Sequence, residues 1–238
     1  PAFQSGVPCL YLSSMELMQG KYIAGGVELL SIAGEFGTPV YVYNASVIKR
    51  QYDSIVQAFS GADLRIKYAC KANTNISVLK YIRSLGAGID AVSIEEVTIA
   101  LQCGFKPAKI LFTPNGVAYE EIRKAVSLGV VINIDNLSVL ELFGHEYGNT
   151  VPCCIRFNPH IQAGGNSHIQ TGHIDSKFGI SVYQLRHVER IVKSCNLRVE
   201  GLYIHTGSEI LDSSVFLRMA EDRKSTRLNS SHIPLSRM

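Results

Sequence analysis

The chain has 238 residues, 46% of them hydrophobic, and a formal net charge of +3. It holds no apolar run long enough to span a bilayer and no charged-then-apolar leader, so a soluble, cytoplasmic protein without membrane contacts is expected. The positive balance sits in residues 222–238; without them 19 basic residues meet 19 acidic ones, which removes charge as a sign of nucleic-acid binding.

Short apolar pieces, Cys9-Leu-Tyr-Leu12 and Tyr22-Ile-Ala24, open the chain and read as strands outside the main pattern. The first residue is Pro1, not Met, which is taken as a missing N-terminus. A helix is expected over 27–36, with Gly37 as its C-terminal cap. From Thr38 a regular beat begins. Strand cores are expected near Val40, Ile66, Ile89, Ile110, Val131 and Cys153, spaced by 26, 23, 21, 21 and 22 residues. Helical stripes lie between them: Ile48, Tyr52, Ile55 and Phe59; then Val78, Leu79, Ile82 and Leu85, with Ser77 as cap and Gly86 as stop. Ser93 and Glu96 have capping-box spacing and open a third helix that ends at Gly104. Ile122, Ala125 and Val126 mark a fourth, ended by Gly129; Leu137 and Leu140 mark a short fifth, ended by Gly144. A long polar loop, 159–179, precedes a helix over 181–193 and a seventh strand over Val199–Ile204. A last helix starts within 213–220.

Strand, helix, glycine and strand at this interval specify βαβ units around a parallel sheet. No Gly-x-Gly-x-x-Gly follows the first strand, which weighs against a dinucleotide fold. Seven strands in one run favour an α/β (β/α)8 TIM-type barrel, here incomplete. Barrel sites are built at the carboxyl ends of strands, where the sequence offers Asn44, Lys71, Asp90 or Ser93, Thr113, Asp135, Arg156 and His205. Lys71 lies among small residues, and burial there would lower its pKa and free its lone pair for Schiff-base chemistry. His205-Thr-Gly-Ser208 could offer an imidazole and anion donors at the same mouth. His160, His168 and His173 in the long loop lack a cysteine or carboxylate cluster at ligand spacing, so no metal is expected. The cysteines, Cys9, Cys70, Cys103, Cys153, Cys154 and Cys195, form no C-x-x-C pair and read as reduced core thiols.

Five motifs occur in order: Tyr68-Ala-Cys-Lys71-Ala-Asn73, Gly88-Ile-Asp-Ala-Val-Ser93, Ile155-Arg-Phe-Asn-Pro159, Ser176-Lys-Phe-Gly-Ile180 and His205-Thr-Gly-Ser208. Together they resemble the pyridoxal-phosphate-dependent decarboxylases with an alanine-racemase-type barrel, most closely those acting on diaminopimelate, over residues 8–220. The resemblance implies pyridoxal 5′-phosphate as cofactor, with Lys71 as its Schiff-base lysine and His205 stacked on its ring. It also implies Ser208 at the phosphate, Arg156 near the cofactor face, Asp90 close to the Schiff base and Lys177 near a homodimer contact. The resemblance implies decarboxylation of a small-molecule amino acid, meso-diaminopimelate, to L-lysine and carbon dioxide; the alternatives are another basic amino-acid decarboxylase of the same fold, or a non-catalytic pyridoxal-phosphate-binding barrel. The family's glycine-rich phosphate loop, pyridinium acid, cysteine donor and C-terminal β-domain find no counterpart here, so a fragment without useful activity is expected. The domain reading is 1–37 as an N-terminal segment of the β-domain, 38–221 as a partial cofactor-binding barrel, and 222–238 as a tail resembling translated adapter sequence.

Overall fold

A computed structural model describes residues 15–161 and 177–205, together with 207, 210, 212 and 214–217. The chain divides into two compact units, one drawn from Pro1–Leu64 and Lys80–Gly86, the other from Arg65–Leu79 and Ala87–Met238.

The first unit contains an antiparallel sheet of β1 (Met15–Met18), β2 (Lys21–Ala24) and β3 (Val27–Glu28), in that order. The expected Tyr22 strand is therefore present, while Cys9–Leu12 lies outside the described residues. Helix α1 (Leu29–Phe36) ends at Gly37, whose N–H bonds back to the Ala33 carbonyl. Helix α2 (Ala45–Ala58) starts at Asn44, whose Oδ1 accepts from the N–H groups of Ser46 and Val47. This fills two of the donors that a helix start leaves open, so Asn44 is a cap here rather than a strand-end site group. The expected strand at Val40 does not form: residues 40–43 join no ladder among the described residues, and Tyr41 is 89% exposed. Pro39 before them has no N–H to give, and apolar alternation alone cannot supply a partner strand.

The second unit carries the repeat. Its elements are β4 (Lys67–Ala69), a 3-10 turn at Cys70–Ala72, α3 (Ile76–Ser84, which runs into the first unit), β5 (Gly88–Ala91), α4 (Ile94–Gln102), β6 (Ile110–Phe112) and α5 (Tyr119–Ser127). They continue with β7 (Val131–Ile134), α6 (Leu137–Tyr147), β8 (Cys153–Asn158), the short β9 (Ile180–Ser181), α7 (Leu185–Ser194) and β10 (Val199–Ile204). Residues 214–217 are helical, as expected.

Every pairing in this sheet is parallel, and the order is β10-β8-β7-β6-β5-β4, with β9 beside β8. Apart from β9, the strands lie in chain order with no reversal, unlike a doubly wound sheet. The sheet also curls. β5 and β10 are four strands apart in that order, which in a flat sheet would be about 19 Å. Yet the Tyr203 hydroxyl on β10 donates to Asp90 Oδ2 on β5 at 3.0 Å. Only a curved wall, the wall of a barrel, brings these side chains together.

Alternation sorts the strand residues into two sets. Ile89, Ala91, Ile110, Phe112, Ile132, Ile134, Cys153, Ile155 and Phe157 are buried in one apolar core, with Val97, Ala125, Leu140 and Val188 from the helices. Each large side chain removed from water there contributes about 1.5–3 kcal/mol. Asp90, Asn133, Arg156 and Tyr203 occupy the intervening positions and project into the barrel.

Two helix boundaries depart from expectation. Asn75, not Ser77, opens α3: its Oδ1 accepts from the N–H groups of Ser77 and Val78 at 3.0 and 3.2 Å. Helix α6 runs through Gly144 and ends at Gly148. Gly144 serves packing: a Cβ there would lie 2.7 Å from Cys195 Cβ and 2.9 Å from its Sγ. The α4 cap matches its sequence signature: Ser93 Oγ accepts from the Glu96 N–H, and the Glu96 carboxylate accepts from the Val92 N–H.

Candidate active site at the barrel mouth

Strand β4 delivers the chain to the 3-10 turn at Cys70–Ala72. The turn buries Cys70 in the core and leaves Lys71 exposed. Lys71 is therefore not the desolvated amine expected from its small neighbours. That description fits Lys67, half-buried on β4, where burial lowers the amine's pKa and Nζ donates to the Lys109 carbonyl at 3.1 Å. The difference is local geometry: a three-residue turn aims one neighbour inward and the next outward. The Lys71 side chain makes no hydrogen bond among the described residues.

Asp90 is held through both carboxylate oxygens on the interior face. Thr113 Oγ1 donates to its Oδ1 at 2.7 Å, and Tyr203 Oη donates to its Oδ2 at 3.0 Å. Thr113 in turn accepts from Asn133 Nδ2 at 3.4 Å, leaving Asn133 Oδ1 buried without a partner. Asp135 accepts from Asn115 Nδ2 and from Asn136 Nδ2.

Arg156 is only 6% exposed. Among the described residues its guanidinium meets rings instead of a carboxylate, lying 4.9 Å from the Phe178 centroid and 5.7 Å from that of Tyr203. Burial lowers its pKa, against the opposing pull of Tyr203, Asp135 and Asp90. Gly179 makes the Phe178 contact possible. With φ +82 it lets residues 177–180 lie against β8, where a Cβ would sit 2.9 Å from the Asn158 nitrogen. Ile180 then pairs beside Phe157.

His205 follows β10 directly. Burial pushes its pKa down, and the Lys71 and Arg156 charges push the same way, while Asp90 opposes them. Lys71 follows β4, Asp90 lies near the end of β5, Arg156 near the end of β8, and His205 just past β10. The fold therefore gathers Lys71, Asp90, Arg156 and His205 at one end of the parallel strands. Ser208 lies outside the described residues, as do His168 and His173. His160 bonds through Nε2 to Ser181 Oγ at 2.7 Å and stacks on Tyr183. Ser93 is spent as a cap. Lys177 is exposed, with Nζ 5.3 Å from the Phe178 centroid. The described cysteines are free thiols, and burial pushes Cys70 and Cys154 up to about 11 and Cys153 up to about 12, far from thiolate chemistry.

Sequence reading missed Tyr203, Asn133 and Phe178. Parity could have found the first two: each lies two residues before a named strand-end group, His205 or Asp135, and so shares its face. Phe178 has no parity signal; it lies inside the Ser176–Ile180 motif without a role assigned to it.

Comparisons with known proteins identify the family of the chain. A family profile described as pyridoxal-dependent decarboxylase, pyridoxal binding domain, matches residues 45–230. The chain belongs to that family. Among its relatives is a diaminopimelate decarboxylase of Methanothermobacter thermautotrophicus, 37% identical over 205 residues, covering 85% of this chain and 48% of the relative. Another, from Pseudomonas fluorescens, is 36% identical over 83% of this chain and 49% of its own length. Among solved structures, diaminopimelate decarboxylase from M. jannaschii in co-complex with L-lysine superposes with a TM-score of 0.79 at 28% identity, over 92% of this chain and 54% of that one. The Helicobacter pylori enzyme complexed with L-lysine gives 0.76 at 30% identity, over 87% of this chain and 54% of that one. The chain thus spans about half the length of the curated relatives it matches.

Pyridoxal phosphate is the cofactor of the family, and the residues present fit its aldehyde and ring. They supply an exposed primary amine, an imidazole whose neutral form is favoured, a fixed carboxylate and an open buried acceptor at Asn133 Oδ1.

Proposed function

We propose that the whole protein decarboxylates meso-diaminopimelate to L-lysine and carbon dioxide, with pyridoxal 5′-phosphate as cofactor, in lysine biosynthesis. What supports this reading is that Lys71, Asp90, Arg156 and His205 lie toward the carboxyl ends of parallel strands of one sheet. The naming of relatives at 31–37% identity as diaminopimelate decarboxylases supports the substrate. The bound cofactor supplies a conjugated ring that takes up the electron pair left when carbon dioxide departs.

The chain's own residues have separate tasks. Lys71 would offer the amine that holds the cofactor through its aldehyde. His205 presents a flat ring whose neutral form is favoured, suited to packing against another flat ring. Asp90 holds a negative charge on the interior face, anchored through both oxygens. Arg156 keeps a buried positive charge under Phe178, where an anionic group would be stabilised. Ser208 is assigned to the phosphate. Residues 1–37 are assigned to a β-domain, 38–221 to the cofactor barrel and 222–238 to a non-native tail. The reading includes a cytoplasmic homodimer; no helix among the described residues is long and apolar enough to cross a membrane.

The test uses the full-length protein. Borohydride reduction in the presence of pyridoxal phosphate should leave a pyridoxyl group on Lys71, located by peptide mass. Carbon dioxide release should be faster from meso-diaminopimelate than from ornithine or arginine. An adduct on Lys67 in place of Lys71, or preference for another amino acid, would overturn the corresponding half of the reading.

A further inference from the structure

The Asp90 carboxylate is held from two sides of the barrel. Thr113 reaches it from just past the end of β6, the adjacent strand, and Tyr203 from β10, four strands away in the sheet. Each oxygen takes one hydroxyl, so the two donors fix where the charge lies across the interior. Burial and the neighbouring Asp90 push the Tyr203 phenol well above its ordinary range, so it remains a protonated donor. The charged and titratable groups around this carboxylate come from several elements: Lys67 on β4, Arg156 on β8, and Tyr203 and His205 from β10 and its end. Lys71 faces His205 from the turn after β4.

We propose that Tyr203 is a positioning residue: its hydroxyl, opposed by that of Thr113, holds the Asp90 carboxylate on the β10 side of the barrel and so sets the field at His205 and Lys71. The proposal rests on the reading above only for its catalytic meaning; the geometry stands without the cofactor. Tyr203→Phe keeps the ring against which Arg156 lies and removes only the donor. The carboxylate then swings toward Thr113 and away from His205. Thr113→Val removes the opposing donor, and the carboxylate moves the other way.

The experiment is the His205 imidazole titration, followed by NMR on full-length, cofactor-free protein with isotope-labelled histidine. Asp90 favours the protonated imidazole. Tyr203→Phe should therefore lower the His205 pKa by about half a unit, roughly threefold in the protonation equilibrium, and Thr113→Val should raise it by a similar amount. In an Asp90→Asn background neither substitution should move it. Shifts of the same sign, no shift from either variant, or equal shifts in the Asp90→Asn background would overturn the proposal. If one variant fails to fold, the other still gives a signed result. Borohydride trapping on Lys71 is run in parallel. Opposed shifts without an adduct would sink the functional reading alone, and an adduct without opposed shifts would sink the positioning role alone.

Discussion

Replacing Gly144 by alanine sets two effects of known size against each other. Gly144 is an interior residue of α6, where alanine is favoured over glycine by about 1 kcal/mol. Propensity alone predicts a stabilised protein. The added Cβ, however, would stand 2.7 Å from Cys195 Cβ, 2.9 Å from Cys195 Sγ and 3.2 Å from Leu197 Cδ1. Carbon atoms at ordinary contact lie about 3.5–4.0 Å apart, so Cys195 must retreat by about 1 Å. Its Cβ cannot rotate away, because it is fixed to the backbone just after α7. Overpacking of this kind costs about 1–3 kcal/mol, and a clash with a backbone-fixed atom belongs in the upper part of that range. The net expectation for Gly144→Ala is a loss of about 1–2 kcal/mol. Urea unfolding followed by far-UV circular dichroism checks it, as a lower midpoint at unchanged slope. Cys195→Gly removes both of the closest atoms, so in that background Gly144→Ala should recover its propensity gain. The reasoning is refuted if Gly144→Ala is as stable as the parent, or if its cost is the same in both backgrounds.

Asn75→Ala should cost about 1 kcal/mol by uncapping α3, whereas Ser77→Ala should stay near neutral; the same urea assay separates the two. Arg156→Met should raise stability by about 1 kcal/mol, because the buried guanidinium has rings rather than a carboxylate beside it, while it weakens retention of an anionic ligand; calorimetry and equilibrium dialysis with pyridoxal phosphate report the two effects. The folded protein holds the His205 pKa below its ordinary 6.5, so between those values the unfolded chain binds more protons. Stability should accordingly rise with pH across that window and fall as pH drops through it. His205→Gln should flatten that slope, and an unchanged slope would mean that another group is responsible. Lys71→Ala should abolish the borohydride-trapped pyridoxyl adduct and decarboxylation, whereas Lys67→Ala should leave the adduct in place.

Much of this protein is local and could be read from the chain. The strand interval of roughly 22 residues, the apolar stripes between strands and the Ser93–Glu96 cap each depend on neighbours within a few positions. They appear in the structure as α3 to α7, β4 to β8 and β10 with small changes of boundary, while the two-residue β9 was not expected. Lys71, Asp90, Arg156 and His205 were legible as polar residues where apolar runs stop, and the five ordered motifs pointed to the family that the comparisons then established.

Other features depend on what lies across the fold, and no local pattern encodes them. Gly144 looks like a stop until Cys195 is seen packed where its side chain would be. Val40 looks like a strand core, yet a strand exists only where another backbone accepts its hydrogen bonds. Lys71 and Lys67 differ in exposure because the 3-10 turn turns Lys71 outward while β4 keeps Lys67 half-buried, a difference that composition does not encode. Asp90 finds Tyr203 at a separation of 113 residues only because the parallel sheet curls. Periodicity along the chain determined which elements form; closure of the wall decided which side chains meet, since that depends on distances through space that the sequence does not carry.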